Sequence, residues 1–328
     1  MGKLSFAFLS VSLFSATALA GKLPAGALLL VQSGGREWEA QARFAAASLA
    51  EKMQVEIVAG AADRKTIQRA VDRLEAKNVS RIIAVPVFAS SYGEELNQAR
   101  YLLGVRKNPS QVFLSAPHVH YSTAALERVK VRTPLVVTDA LDADVGLLAS
   151  ADGHLSAFGP YLEDAALILV AAGPAADLEN DRQLSVLQAV ADAIGQKRKL
   201  RGSRAFMLRP NLNKTERGFS KLGVQAGAKL RLPQTERERT KSALEELRSL
   251  VRELSLKGRV IVLARSLDGE ELGKMIRDAL SGTFYFWGGT ASLTDAELSA
   301  WLSARVEEGL KLKPMRKYEK PEFPPENK

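Results

Sequence analysis

Cysteine is absent from this sequence of 328 residues, and histidine occurs only three times. Without cysteine there is no disulfide, no thiolate metal ligand and no cysteine nucleophile, and the attachment point of a bacterial lipid anchor is also missing. Stability must therefore come from a hydrophobic core. Hydrophobic residues make up 46% of the chain and charged residues 25%, a composition typical of soluble globular proteins.

Long apolar runs are also scarce, and the main one lies at the N-terminus. Residues 1–20 read MGKLSFAFLSVSLFSATALA, with Lys3 first, an apolar stretch over 4–14, and small residues before Gly21. This pattern predicts a secretory signal peptide cleaved after Ala20, and hence a periplasmic or secreted protein. The stretch is short and interrupted by serines, so it does not predict a transmembrane anchor, and no later stretch is long enough to span a bilayer.

Acidic residues are outnumbered by basic ones, and the formal net charge is +9. Lys3 is the only charged residue of the predicted signal, so the remaining chain carries +8. Basic residues are dense over 195–204 and continue to Lys221. Such a surface favours anionic partners: acidic lipid, a cell-wall polymer or a polycarboxylate ligand. A nucleic-acid partner is not predicted, because no aromatic and basic stacking motif accompanies the charge.

Apolar runs alternate with amphipathic helical patterns along the chain. The first set of predicted strands lies at 27–31, 55–59, 81–88 and 135–138, and the pattern restarts at residue 165. The alternation predicts an α/β fold built from two tandem doubly wound parallel-sheet units. We assign residues 21–160 and 161–312 to these units and 313–328, which are rich in proline and charge, to a disordered tail. Whether the units pair within one chain or through a homodimer stays open.

Ligands of parallel sheets bind at the carboxyl ends of the strands, so the candidate residues come from the loops there. For ligand binding these are Gln32, Ser33, Gly34, Gly35, Ser90, Ser91 and Tyr92. The spacing of Gly34 and Gly35 fits no phosphate-binding motif, and a tight turn is the simpler interpretation. Glu94 and Glu95 open a helix, where the macrodipole favours carboxylates; acid–base or metal-binding duty is the alternative.

His118 and His120 have the spacing that places both imidazoles on one face of a strand. Such a pair can bind a transition metal, but a third ligand is not visible nearby. His154, in the stretch ADGHLS, is expected in a solvent-facing turn. Neither a nucleophile elbow nor an HExxH motif is present, so these two hydrolytic sites are not predicted.

The order of strands, turns and helices resembles the class II chelatases, typified by sirohydrochlorin cobaltochelatase and ferrochelatase. The resemblance covers most of the chain as two tandem units. It depends on LLLVQSGGREWEAQARFAAASLAEKM, on VEIVAGAADRKTIQRAVDRLEAKNVSRIIAVPVFASSYGEELNQARYLLG, and on TPLVVTDALDAD. Fainter matches in the second unit are LILVAAGP and RVIVLARSLDGEELGKMIRDALSGTFYF.

This resemblance implies a tetrapyrrole ligand and a divalent metal ion, either cobalt, iron or nickel. In that family a histidine ending the first strand and another after the third strand hold the metal and accept pyrrole protons. Imidazole suits both tasks because it titrates near neutral pH. Here Gln32 stands at the first position, Tyr92 or Glu94 at the second, and Ala172 at the matching place in the second unit.

Three hypotheses follow from these replacements. In the first, metal insertion persists, with Glu94 or Glu95 as the base and Tyr92, Glu94 or the pair His118 and His120 as metal ligands. In the second, the cleft binds a tetrapyrrole or metal ion without chemistry, as an exported carrier or sensor. In the third, the fold serves as an interaction scaffold, because a fold does not determine a function.

Overall fold

The computed structural model describes residues 24–34, 36–60, 63–109, 126–141, 146–174, 177–208, 236–267, 270–315 and 317–318. The predicted signal peptide lies outside these ranges. The first part of the chain forms β1 (Gly26–Val31), α1 (Arg36–Ala50), β2 (Gln54–Ala59), α2 (Arg64–Ala76), β3 (Ile82–Val87), α3 (Glu94–Leu102) and β4 (Leu135–Val137). The rest forms α4 (Gly146–Ser156), β5 (Ala166–Ala172), α5 (Asp177–Arg198), β6 (Gly202–Leu208), α6 (Glu236–Ser255), β7 (Val260–Arg265), α7 (Glu270–Ala279), β8 (Phe286–Ala291) and α8 (Asp295–Lys311).

The strands form two parallel four-stranded sheets with the same topology. Their orders are β2-β1-β3-β4 and β6-β5-β7-β8. Every residue of the central strands β1 and β3 is buried, as expected for continuous apolar runs covered on both faces. The predicted α/β fold with two tandem parallel-sheet units is therefore confirmed.

Two helices cover each face of each sheet. The two halves of the chain exchange one helix, because α4, which follows β4, packs on the second sheet, and α8, which follows β8, packs on the first. On the first sheet, α2 and α3 cover one face, while α1 and the C-terminal helix α8 cover the other. On the second sheet, α4 packs with α5, and α6 with α7. Among the described residues no helix combines the length and apolar character needed to cross a membrane.

The packing of α8 on the first sheet is close. Trp301 and Leu302 lie in the same core cluster as β1 and β3. Gly309 approaches β3 so closely that a Cβ on this residue would overlap Ile83 Cγ2. Arg81, just before β3, donates through Nη1 to three carbonyls at the end of α8, at 2.7 to 3.2 Å. These contacts satisfy carbonyls that the helix end leaves open.

Three residues after α8 contact the first half of the chain. Met315 N donates to Leu135 O at 2.9 Å, and Tyr318 N donates to Gly104 O at 2.7 Å. The Lys317 ammonium donates to two carbonyls of the segment before β4, both at 2.8 Å. Most of the predicted tail, residues 313–328, lies outside the described residues, and its disorder stays a prediction.

Local signals for helix α2 agree with the structure. Asp63 is its N-cap, and its carboxylate accepts from Lys65 N at 2.8 Å and Thr66 N at 3.3 Å. In the last turn, Glu75 accepts from Arg132 N, Arg132 Nε and Thr133 N at 2.7 to 2.9 Å. Burial alone would raise the pKa of Glu75, but these hydrogen bonds and the guanidinium charge lower it overall.

Candidate functional site

The carboxyl ends of the two sheets are joined by one buried cation. Arg265 ends β7, is only 6% exposed, and donates through Nη2 to Ala89 O at 2.8 Å. Ala89 follows β3 of the first sheet, so the loops at the carboxyl ends of β3 and β7 lie within one arginine side chain of each other. Leu267, two residues beyond Arg265, packs against the core of the first sheet. The predicted ligand-binding edges of both sheets therefore meet at one place.

Gln32, the residue after β1, uses its side chain to hold the neighbouring loop. Its Oε1 accepts the Ala89 N–H at 2.8 Å, and its own N–H donates to Val87 O at 3.1 Å. The amide thus bridges the ends of the two central strands. A carboxamide neither accepts a proton near neutral pH nor competes well as a ligand for a divalent transition metal. Gln32 and Arg265 therefore bind the N–H and the carbonyl of one residue, Ala89.

Ser33 and Glu95 form a second link between the same two loops. The Ser33 hydroxyl donates to Glu95 Oε1 at 2.6 Å, and the Ser33 N–H lies 3.2 Å from each carboxylate oxygen. Glu95 stands in the first turn of α3, whose N-cap is Gly93 and supplies no side-chain acceptor. The negative charge of the carboxylate therefore interacts favourably with the positive end of the helix dipole while its oxygens accept hydrogen bonds from Ser33. Glu94 lies beside it in the same turn and is half-buried.

The serines predicted for ligand binding are used to shape the loop after β3. Ser90 Oγ accepts the Tyr92 N–H at 3.0 Å, and Ser91 Oγ accepts the Ala140 N–H at 3.1 Å. Arg100 donates to Ser91 O at 2.6 Å. Ser90 and Ser91 are buried at 7% and 9% exposure, so their hydroxyls act inside the protein, while Tyr92 is half-buried. The loop is thereby held in one conformation at the edge of the cleft.

Of the residues predicted to bind a metal, Tyr92 and Glu94 lie in the described part of the chain. No group of three or more His, Asp or Glu side chains with metal-binding geometry occurs there. His118, His120 and Gly35 lie outside the described residues, and Gly34 lies in the loop after β1. His154 corrects the expectation of a solvent-facing turn, because it lies in α4, is half-buried, and stands close to Gly289 of β8.

The sequence analysis did not identify Arg265 as a site residue. The available signal was a basic residue ending an otherwise apolar run, VIVLAR. In the second sheet the place equivalent to Gln32 is Ala172, whose carbonyl accepts from Gln183 Nε2 at 3.2 Å. Gly173 follows, and a Cβ there would overlap the carboxamide of Asn180. Among the described residues, the carboxyl edge of the second sheet therefore contributes the guanidinium of Arg265 and no acid–base pair.

No protein-family model matches this sequence, and no curated protein matches it. Solved structures do. SirB from Bacillus subtilis with Fe3+ is 11% identical, with a TM-score of 0.50 and coverage of 89% of this chain and 100% of that one. The sirohydrochlorin chelatase SirB from Bacillus subtilis subspecies spizizenii in complex with cobalt is 10% identical, with a TM-score of 0.49 and the same coverage.

A periplasmic sugar-binding protein from Legionella pneumophila is more distant, with 14% identity, a TM-score of 0.32, and coverage of 88% of this chain and 97% of that one. At 11% identity the match to SirB with Fe3+ shows a shared fold and nothing about ligands. Together with the two parallel sheets and their order, the match to SirB shows that this chain has a class II chelatase-like fold.

Proposed function

We propose that this protein is exported and that the cleft between the two carboxyl edges binds an anionic ligand of the tetrapyrrole class without inserting a metal. The hydrogen bond from Ala89 N–H to Gln32 Oε1 is the observation that carries the proposal. The family resemblance places a metal-binding base at this position. In this chain the position holds an amide whose oxygen is engaged by the backbone, so the edge keeps its shape while the base is lost.

Binding of an anion is supported by the charge at this edge. Arg265 brings a permanent positive charge to a largely dry position between the sheets, where electrostatic attraction is stronger than in bulk water. A guanidinium matches the geometry of a carboxylate, and tetrapyrroles of the kind implied by the resemblance are rich in carboxylates. The net charge of +9 adds a general attraction for such ligands.

Metal insertion is the second candidate, and one observation favours it. Insertion requires a group that accepts protons from the pyrrole N–H groups, and Glu95 places a carboxylate at the same edge. That carboxylate is already engaged by the Ser33 hydroxyl and the Ser33 N–H. We therefore place binding before catalysis, and the two functions are separated by one set of measurements.

The test is an absorbance titration of the protein against sirohydrochlorin and its cobalt complex. We expect a saturable spectral shift with a dissociation constant at or below tens of micromolar, about 6 to 7 kcal/mol of binding free energy. Arg265→Gln should weaken binding about tenfold through loss of one charge-assisted hydrogen bond. Arg204→Gln, which removes an exposed arginine of β6, is the matched control and should bind as the wild type does.

The same samples test catalysis when Co²⁺ is added to protein and metal-free sirohydrochlorin. We expect insertion at the rate of the buffer control. Suppose instead that insertion is faster than in buffer, and that Glu95→Gln abolishes this rate while Arg204→Gln leaves it unchanged. The protein would then be a metal-inserting enzyme and not a carrier. The absence of any spectral shift with either ligand, at concentrations well above tens of micromolar, would refute binding of this ligand class.

A further inference from the structure

The most exposed large hydrophobic side chains of the described residues lie together, far from the cleft. They are Tyr161, Leu256 and Phe284, with exposures of 76%, 87% and 89%. Each belongs to the loop that enters a strand of the second sheet, and these strands, β5, β7 and β8, are neighbours. Neighbouring strands are about 4.8 Å apart, so the three side chains share the amino edge of the sheet.

Phe286, the first residue of β8, extends this surface. It is 49% exposed, and its ring packs edge-to-face on Phe158, with 6.2 Å between centroids. We call Tyr161, Leu256, Phe284 and Phe286 the amino-edge patch. Isolated exposed hydrophobic residues are common on proteins, but a group of four on adjoining loops marks a surface that contacts something apolar.

The loops that carry the patch are fastened to one another. Arg259 Nη2 donates to Tyr161 O at 2.5 Å, and Arg201 N donates to Ala165 O at 2.9 Å. Arg201 Nη2 also donates to Leu254 O at 3.1 Å, near the end of α6. These hydrogen bonds join the loops before β5, β6 and β7 into one platform. Tyr161 and Leu256, in the loops before β5 and β7, therefore project from a fixed base.

The platform is positively charged. The loops before β5, β6, β7 and β8, residues 157–165, 199–201, 256–259 and 280–285, contain four basic and two acidic residues, a net charge of +2. The basic residues are Lys199, Arg201, Lys257 and Arg259, of which Arg259 pairs with Asp164 and Lys257 with Glu253 of α6. Apolar side chains on loop tips surrounded by cations are the pattern of a surface that enters the headgroup region of an anionic membrane.

We propose that the amino-edge patch docks the protein on an anionic lipid surface. The apolar tips would enter the boundary between headgroups and acyl chains, and the basic loops would bind the lipid phosphates. A second copy of the chain fits less well, because pairing two such edges would bring two net charges of +2 together. The patch lies at the edge opposite the cleft, so a docked protein would keep the cleft open to water.

Vesicle co-sedimentation of the full chain tests this proposal. We expect binding to vesicles of phosphatidylcholine and phosphatidylglycerol in equal parts, weak binding to phosphatidylcholine alone, and loss of binding as salt is raised from about 0.05 M to about 0.5 M. Phe284→Ser should lower the partition coefficient about tenfold, because one buried phenyl ring is lost. Lys199→Gln combined with Lys257→Gln should lower it by a similar factor.

Phe44→Ser is the matched control, because Phe44 is 64% exposed on α1 and lies in the other half of the molecule. It should bind as the wild type does. The apolar N-terminal segment is common to all variants, so the ratios isolate the patch. Equal binding by wild type and Phe284→Ser would overturn the proposal. So would a concentration-dependent dimer in light scattering that Phe284→Ser dissociates, since the patch would then be an interface between proteins.

Discussion

Replacing Gly309 with alanine tests how tightly α8 packs on the first sheet. An added Cβ would overlap Ile83 Cγ2 and stand 3.3 Å from Thr138 Cγ2. Ile83 is fully buried in a central strand and cannot move aside. Overpacking a core costs about 1 to 3 kcal/mol, whereas alanine gains about 1 kcal/mol over glycine inside a helix. We therefore expect a net loss of about 1 kcal/mol.

Gly153→Ala is the matched control for this substitution. Gly153 lies in α4, is exposed, and has no atom within 4 Å of an added Cβ, so only the helix propensity changes. This variant should gain about 1 kcal/mol. For a chain of this size, 1 kcal/mol corresponds to a change in Tm of about 2 °C. Gly309→Ala should therefore melt about 2 °C below the wild type and Gly153→Ala about 2 °C above it, a difference of about 4 °C between the two variants.

A double-mutant cycle makes the test specific. Ile83→Ala alone should cost about 2 to 5 kcal/mol through the cavity it leaves. In that background the methyl group of Gly309→Ala enters the cavity, so the second substitution should become stabilising. Urea unfolding of all four proteins supplies the free energies. If Gly309→Ala stabilises the wild-type background as much as Gly153→Ala does, α8 is not packed on β3 as described.

Three further predictions concern single side chains. Gln32→Ala should lower stability by about 1 to 3 kcal/mol in urea unfolding, because the Ala89 N–H loses its acceptor; Gln32→Glu keeps an acceptor and should lose less. Asp63→Ala should lower the Tm by about 2 to 4 °C through loss of the α2 cap, and an unchanged Tm would mean that the cap is not formed. The folded-state pKa of Glu75 lies below its ordinary 4.5, so ionised Glu75 stabilises the folded protein above pH 4.5, and this stabilisation is lost as the pH falls through the folded-state pKa. In urea unfolding, the free energy of unfolding of Glu75→Gln should therefore fall less steeply below about pH 4.5 than that of the wild type.

Much of the fold could be predicted because its signals are local. The continuous apolar runs at β1 and β3, the alternation with amphipathic helices, and the cap at Asp63 each follow from residues close in sequence. The helix exchange could not be predicted this way. Leu298 and Leu302 show that α8 has a buried face, but both sheets offer an apolar surface, and only the assembled chain selects between them.

The contacts of the segment after α8 could not be predicted, for a related reason. Proline and charge indicate disorder when the segment is considered alone, but Lys317 finds two backbone carbonyls that belong to a distant part of the chain. Such acceptors have no sequence pattern.

The candidate site also could be predicted from the sequence only in part. Gln32, Ser33 and Glu95 could be assigned to one edge, because parallel strands end together, and the structure does bring them together. Arg265 could not be assigned a partner, because its contact with Ala89 spans 176 residues. The roles of all these residues in binding or catalysis stay predictions.

The exchange of α8 also has a consequence for how the chain is made. Domains usually fold from the N-terminus as they leave the ribosome. In this protein the first sheet cannot cover one of its faces until Trp301, Leu302 and Val306 have been synthesised, because those residues complete its core. A nascent chain shorter than about 311 residues therefore leaves exposed the part of this face that α8 covers, beside Ile83 of β3, and the half that is synthesised first is the last to close.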